Sequence, residues 1–155
     1  MNEARILVVD DEVNLTRMVK LYLEQVGHFR VREENRSTDA VAAALDFRPD
    51  LILLDVDMPD LDGGEVARRL KAQPELCDVV ILFYSALVSN TETNGGKVMR
   101  GGHRFLAKPV NPGALVAAVK VLLCERTARR ANGEANPAPS RIARTNPSTF
   151  SCWVA

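Results

Sequence analysis

Leu51-Ile52-Leu53-Leu54-Asp55-Val56-Asp57-Met58-Pro59 places four consecutive apolar side chains directly before an acid and a turn. A short apolar run without polar alternation reads as a strand covered on both faces, the position held by central strands of parallel sheets. Working outward, residues 6–9 form a similar run that ends on Asp10-Asp11-Glu12, and residues 79–83 form another that leads to Ser85. Residues 29–32 and 104–107 are weaker candidates, the last just before Lys108-Pro109. Five strands are predicted.

Helical patterns lie between them. With Asn14 as cap, Leu15, Met18, Val19, Leu23 and Val26 recur at three- and four-residue intervals and stop at Gly27. Ser37 is expected to cap a second helix through Ala40, Val41, Ala44 and Leu45, ended before Pro49. A third carries Val66, Ala67 and Leu70 and closes at Pro74, and a last one starts from Asn111 as cap with Pro112 at the first helical position. The segment 89–100 contains Thr91, Thr93, Asn94 and the Gly95-Gly96 pair, all weak helix formers, so a fourth helix that is short or mobile is expected there. Five strand-helix alternations imply a doubly wound α/β sheet with right-handed crossovers.

The chain has 155 residues, 46% hydrophobic and 26% charged, which fits one globular domain with a short appendage. Residues 1–124 are expected to be that domain and 125–155, rich in Ala, Asn, Arg, Pro and Ser, a flexible tail. Basic and acidic residues balance at 20 each, so no overall field points to nucleic acid or a membrane surface. Five arginines against Glu125 and Glu134 come after Cys124, which makes the tail mildly basic and the rest mildly acidic. Cys77, Cys124 and Cys152 are odd in number and lack zinc or redox spacing. No apolar run suits a signal peptide or a membrane span, and a cytoplasmic location is expected.

The acids carry the chemistry. Asp10 and Asp11 end the first strand and Asp55 ends the third; in an order 2-1-3-4-5 these strands flank the point where the order reverses, where ligands bind. Three carboxylates about 5 Å apart repel by roughly 3 kcal/mol per pair at an effective dielectric near 20. A hard divalent cation, magnesium above all, relieves this through oxygen ligands. Ser85 and Lys108 end the fourth and fifth strands, where a hydroxyl and an ammonium can hold phosphoryl oxygens. The set is nearly sufficient for phosphoryl transfer, which needs little beyond positioning and charge neutralisation.

The succession Leu7-Val8-Val9-Asp10-Asp11-Glu12, Leu54-Asp55-Val56-Asp57-Met58-Pro59 with Asp62-Gly63, Ser85-Ala86 and Lys108-Pro109 closely resembles bacterial two-component response-regulator receiver domains, over roughly residues 5–123. The resemblance implies a flavodoxin-like three-layer sandwich, a (βα)5 five-stranded parallel sheet of order 2-1-3-4-5. It implies that Asp55 takes a phosphoryl group from a histidine kinase. Magnesium is then held by Asp11, Asp55 and the backbone carbonyl of Asp57, with Asp10 acting through water. Ser85 turns inward on phosphorylation, Phe105 moves after it, and a protein-interaction surface changes shape. The implied partners are a downstream effector or a histidine phosphotransfer protein, as in stand-alone, chemotaxis-like receivers; a phosphorylation-dependent dimer is compatible, and nucleic acid is not expected. A receiver of this kind is not an enzyme beyond its own phosphorylation and dephosphorylation.

This chain departs from the family in reading Gly101-Gly102-His103 where many relatives have Gly-Ala-Asp, and Phe105 where tyrosine is commoner. Asp57 adds a carboxylate two residues after the acceptor. Three alternatives stand beside the receiver. A degenerate receiver could serve only as an interaction module. A haloacid-dehalogenase-type phosphohydrolase has its nucleophile on the first strand, whereas here Asp10 and Asp11 precede Asp55. A flavin binder would find Asp10-Asp11-Glu12 repelling its phosphate.

Overall fold

The computed structural model describes residues 3–86, 98–100, 103–109 and 111–134, with the backbone alone described over 98–100. Six strands form one sheet: β1 (Arg5–Val9), β2 (Arg30–Glu34), β3 (Leu51–Asp55), β4 (Val80–Ser85), β5 (Val98–Arg100) and β6 (His103–Ala107). The described helices are α1 (Val13–Gln25), α2 (Ala40–Phe47), α3 (Gly63–Lys71) and α4 (Pro112–Ala131). The sheet order is β2-β1-β3-β4-β6-β5. Five strands are parallel in the order expected for a flavodoxin-like sandwich, and β5 adds an antiparallel edge against β6.

The missing polar alternation in the central strands has a direct cause: the two-residue period is present, but both sides of it are covered. Leu7, Val9, Ile52, Leu54, Phe83 and Phe105 face one core with the apolar residues of α2 and α3. Ile6, Val8, Leu51, Leu53, Leu82 and Leu106 face the other with those of α1 and α4. Every residue of β3 is buried. The result is three layers with the strand ends free at one edge.

Four expectations are corrected. The cap of α1 is Glu12, not Asn14: Asp10 Oδ1 accepts the Glu12 N–H at 2.9 Å and turns the chain two residues early. Ser37 does not cap α2 but starts a 3-10 turn (Ser37–Asp39), its hydroxyl engaged across the fold. The end of the segment expected as the fourth helix, Val98–Arg100, is strand, as suits β-branched Val98 near the glycine pair; the rest of that segment lies outside the described residues. The expected boundary at 124 falls inside α4, which runs to Ala131. Arg126 holds this extension by bonding Asp50 at 2.6 Å and the Asp78 carbonyl at 3.1 Å, while Arg104 meets Glu125 at 3.0 Å. Asn111 does cap α4 as expected, accepting the Ala114 N–H at 2.7 Å.

Candidate functional site

The order reverses between β1 and β3, and the crevice outside their carboxyl ends collects the acids. Asp10 and Asp55 are buried and Asp11 is exposed; each offers a carboxylate oxygen, all within 4.8 Å of one another. Lys108, at the end of β6, donates to Asp10 and lies 3.2 Å from Asp55 Oδ1. Its ammonium also sits 5.2 Å from the centroid of the Tyr84 ring, a cation–π contact. Three carboxylates and one ammonium leave two unbalanced negative charges.

Burial first, and the neighbouring Asp10 charge second, raise the Asp55 carboxyl from 3.8 to about 6, against the opposing pull of Lys108. For Lys108, burial acts to lower the ammonium, but the hydrogen bond to Asp10 and the charges of Asp10 and Asp55 outweigh it and hold the group above its ordinary value. The residual charge and the all-oxygen donor set fit a hard divalent cation such as magnesium. The carboxylates at hand to hold it are Asp10, Asp11 and Asp55.

Several groups missed in the sequence fix these side chains. Asn35 donates to the Asp10 carbonyl at 2.7 Å and to Thr16 Oγ1 at 3.0 Å, tying the end of β1 to α1. Ser37 Oγ donates to the Pro59 carbonyl at 2.8 Å and accepts the Leu61 N–H at 3.1 Å, pinning the loop after Asp55. No local signal marks either of these roles, because each acts on a segment far along the chain. Gly63 does stand in a readable motif: a Cβ there would lie 2.2 Å from the Asp55 carbonyl oxygen, so only glycine lets α3 begin so close to the end of β3. Asp62 caps that helix, accepting the Glu65 N–H at 2.9 Å.

Ser85 is buried at the end of β4, and its carbonyl accepts the Lys108 N–H at 2.9 Å, which joins the two strand ends. The Lys108–Pro109 peptide bond is cis. Phe105 is buried and stacked on Phe83 with ring centroids 5.0 Å apart, so it stands on the core face beneath the strand ends rather than among the acids. The Asp57 side chain is exposed and outside the carboxylate group.

Residues 6–120 match the family described as response regulator receiver domain. The chain is 34% identical to the transcriptional regulatory protein ResD of Bacillus subtilis over 79% of this chain and 49% of ResD. It is 34% identical to protein PilH of Pseudomonas aeruginosa over 77% of this chain and 98% of PilH. It spans about half the length of ResD and of the phosphate regulon regulatory protein PhoB of Pseudomonas aeruginosa, to which it is 36% identical over 76% of its own length. Among solved structures, chemotaxis protein CheY4 of Vibrio cholerae superposes with a TM-score of 0.66 and 26% identity, covering 77% of this chain and 98% of that one.

Proposed function

Because the chain belongs to the response regulator receiver domain family, we propose that Asp55 accepts a phosphoryl group from a histidine kinase in a magnesium-dependent phosphorelay and thereby switches a protein-interaction surface. The observation that carries this reading is the convergence of Asp10, Asp11, Asp55 and Lys108 at the crevice where the strand order reverses.

An Asp55 carboxylate oxygen attacks the phosphorus of the kinase phosphohistidine; the new P–O bond forms as the P–N bond breaks, and the imidazole leaves and takes up a proton. Lys108, already 3.2 Å from Asp55, is placed to pair with a phosphoryl oxygen as the carboxylate charge is spent. The buried Ser85 hydroxyl is assigned to a second phosphoryl oxygen and Phe105 to the packing change that comes after. Asp11, Asp55 and the Asp57 backbone carbonyl, with Asp10 through water, would hold magnesium, which would supply charge neutralisation at the transferring group. Hydrolysis or transfer to a histidine phosphotransfer protein resets Asp55. The downstream effector and a phosphorylation-dependent dimer belong to the same proposal, as does a cytoplasmic location. Among the described residues no helix is long and apolar enough to cross a membrane.

Mass spectrometry after treatment with acetyl phosphate and magnesium tests the assignment. One phosphoryl mass gain is expected in the wild type and none in Asp55→Asn. A gain that survives in the variant refutes it, and failure of the wild type to bind beryllofluoride with magnesium supports the degenerate interaction module instead.

A further inference from the structure

α4 is twenty residues long and carries two different apolar faces, one inward and one outward. Leu115, Val116, Val119 and Leu122 are buried against the sheet. On the opposite side Ala117, Val121, Cys124 and Ala128 are all exposed, at spacings of four, three and four, which makes a continuous apolar stripe where a surface helix ordinarily carries charge. Val121 is 48% exposed. α1 packs beside α4 and also turns large apolar side chains outward, Met18 at 44% and Leu21 at 48% exposure.

The end of α4 turns the chain away from the helix axis. Gly133 takes a left-handed conformation at φ 71°, its N–H bonds the Arg130 carbonyl at 3.2 Å, and the Glu134 N–H bonds the Arg129 carbonyl at 3.1 Å. These two bonds are the Schellman pair, which closes the helix. Residues 135–149 hold a single large apolar side chain, Ile142, and then Phe150, Trp153 and Val154 come at i, i+3 and i+4 spacing. Extended, residues 135–149 reach up to about 50 Å, whereas Val121 lies only about 20 Å back along the helix from Glu134. A tether of that length holds a segment at an effective concentration on the order of millimolar, so a weak apolar contact is enough to seat it.

We propose that the segment from Phe150 to Val154 docks back on the outward apolar stripe of α4 centred on Val121 and Cys124, as an intramolecular cover for that face. A protein partner that uses the outward side of α4 must then displace the chain's own segment first. The proposal is independent of phosphoryl chemistry at Asp55.

Trp153 is the single tryptophan of the chain and reports its own burial. In the full, reduced chain its emission is expected to be blue-shifted from that of tryptophan amide and protected from acrylamide, with both effects lost in Val121→Glu, a substitution at an exposed position that leaves the core intact. An emission equal to the free amide, a shift unchanged in Val121→Glu, or a shift that vanishes on dilution and so reports a second copy, each overturns the proposal. Cys77 and Cys124 are both exposed, so they supply a second measurement. Under mild oxidation with diamide, Cys152 is expected to pair within the chain with Cys124 several times more than with Cys77, and equal yields overturn the docking.

Discussion

Asp55→Asn is expected to make the metal-free protein more stable at neutral pH, because the Asp55 carboxylate is held against its own preference. Its folded value of about 6 stands above the ordinary 3.8 owing to burial and the Asp10 charge. A carboxyl with a raised folded value binds more protons folded than unfolded between the two values, so stability falls as pH climbs from 3.8 to about 6 and the loss is complete above that window. With Asp55 only 7% exposed, solvent screening takes little away, and the displacement corresponds to about 3 kcal/mol at neutral pH. The amide has no proton to lose, so urea unfolding in EDTA at about pH 7.5 should favour the variant by up to about 3 kcal/mol, shrinking to about 0.5 kcal/mol near pH 4. Magnesium should narrow the gap at neutral pH by binding the ionised wild-type cluster more tightly than the variant. A variant no more stable than the wild type in EDTA, or a gain equal at both pH values, refutes the reasoning.

Other perturbations separate the roles around the site. Asp11→Asn, at an exposed position, should weaken magnesium binding by about tenfold or more in a calorimetric titration while changing stability within about 0.5 kcal/mol. Lys108→Met removes the cation that lowers the Asp55 carboxyl, so the pH at which Asp55 reacts with acetyl phosphate should move upward, and an unmoved profile counts against the pairing. Gly63→Ala sets a methyl 2.2 Å from the Asp55 carbonyl and should cost about 2 kcal/mol or more in urea unfolding. Asp57→Asn should alter the phosphoryl lifetime through the attacking water, and an unchanged dephosphorylation rate removes that role.

The range of each interaction sets how legible it is in the chain. Apolar runs at 6–9, 51–54 and 79–83 report burial on two sides, a property each run carries alone, and β1, β3 and β4 formed there within one or two residues. Asn111-Pro112 marks a helix start because the cap bond closes within three residues. Asp10, Asp11, Asp55, Ser85 and Lys108 were readable as candidates because parallel strands all present their carboxyl ends at one edge. The sequence by itself therefore determined most of the elements and the acids at the strand ends, but not β5, which stands where a helix was expected.

Tertiary structure decided the rest, because it depends on register and crossover rather than on neighbours in the chain. The contact of Lys108 with Asp10 spans 98 residues, and only the placement of β6 beyond β4 and of β1 beside β3 brings Lys108 within reach of both acids. Ser37 has every local sign of a helix cap, yet its hydroxyl serves Pro59 and Leu61, since the loop after Asp55 arrives there only once the sheet has formed. Asn14 lost the cap of α1 to Glu12 for a similar reason: the Asp10 carboxylate turns the backbone first. The raised Asp55 carboxyl is likewise a property of the assembled crevice, where water is excluded and Asp10 is near; an aspartate in an extended chain has neither.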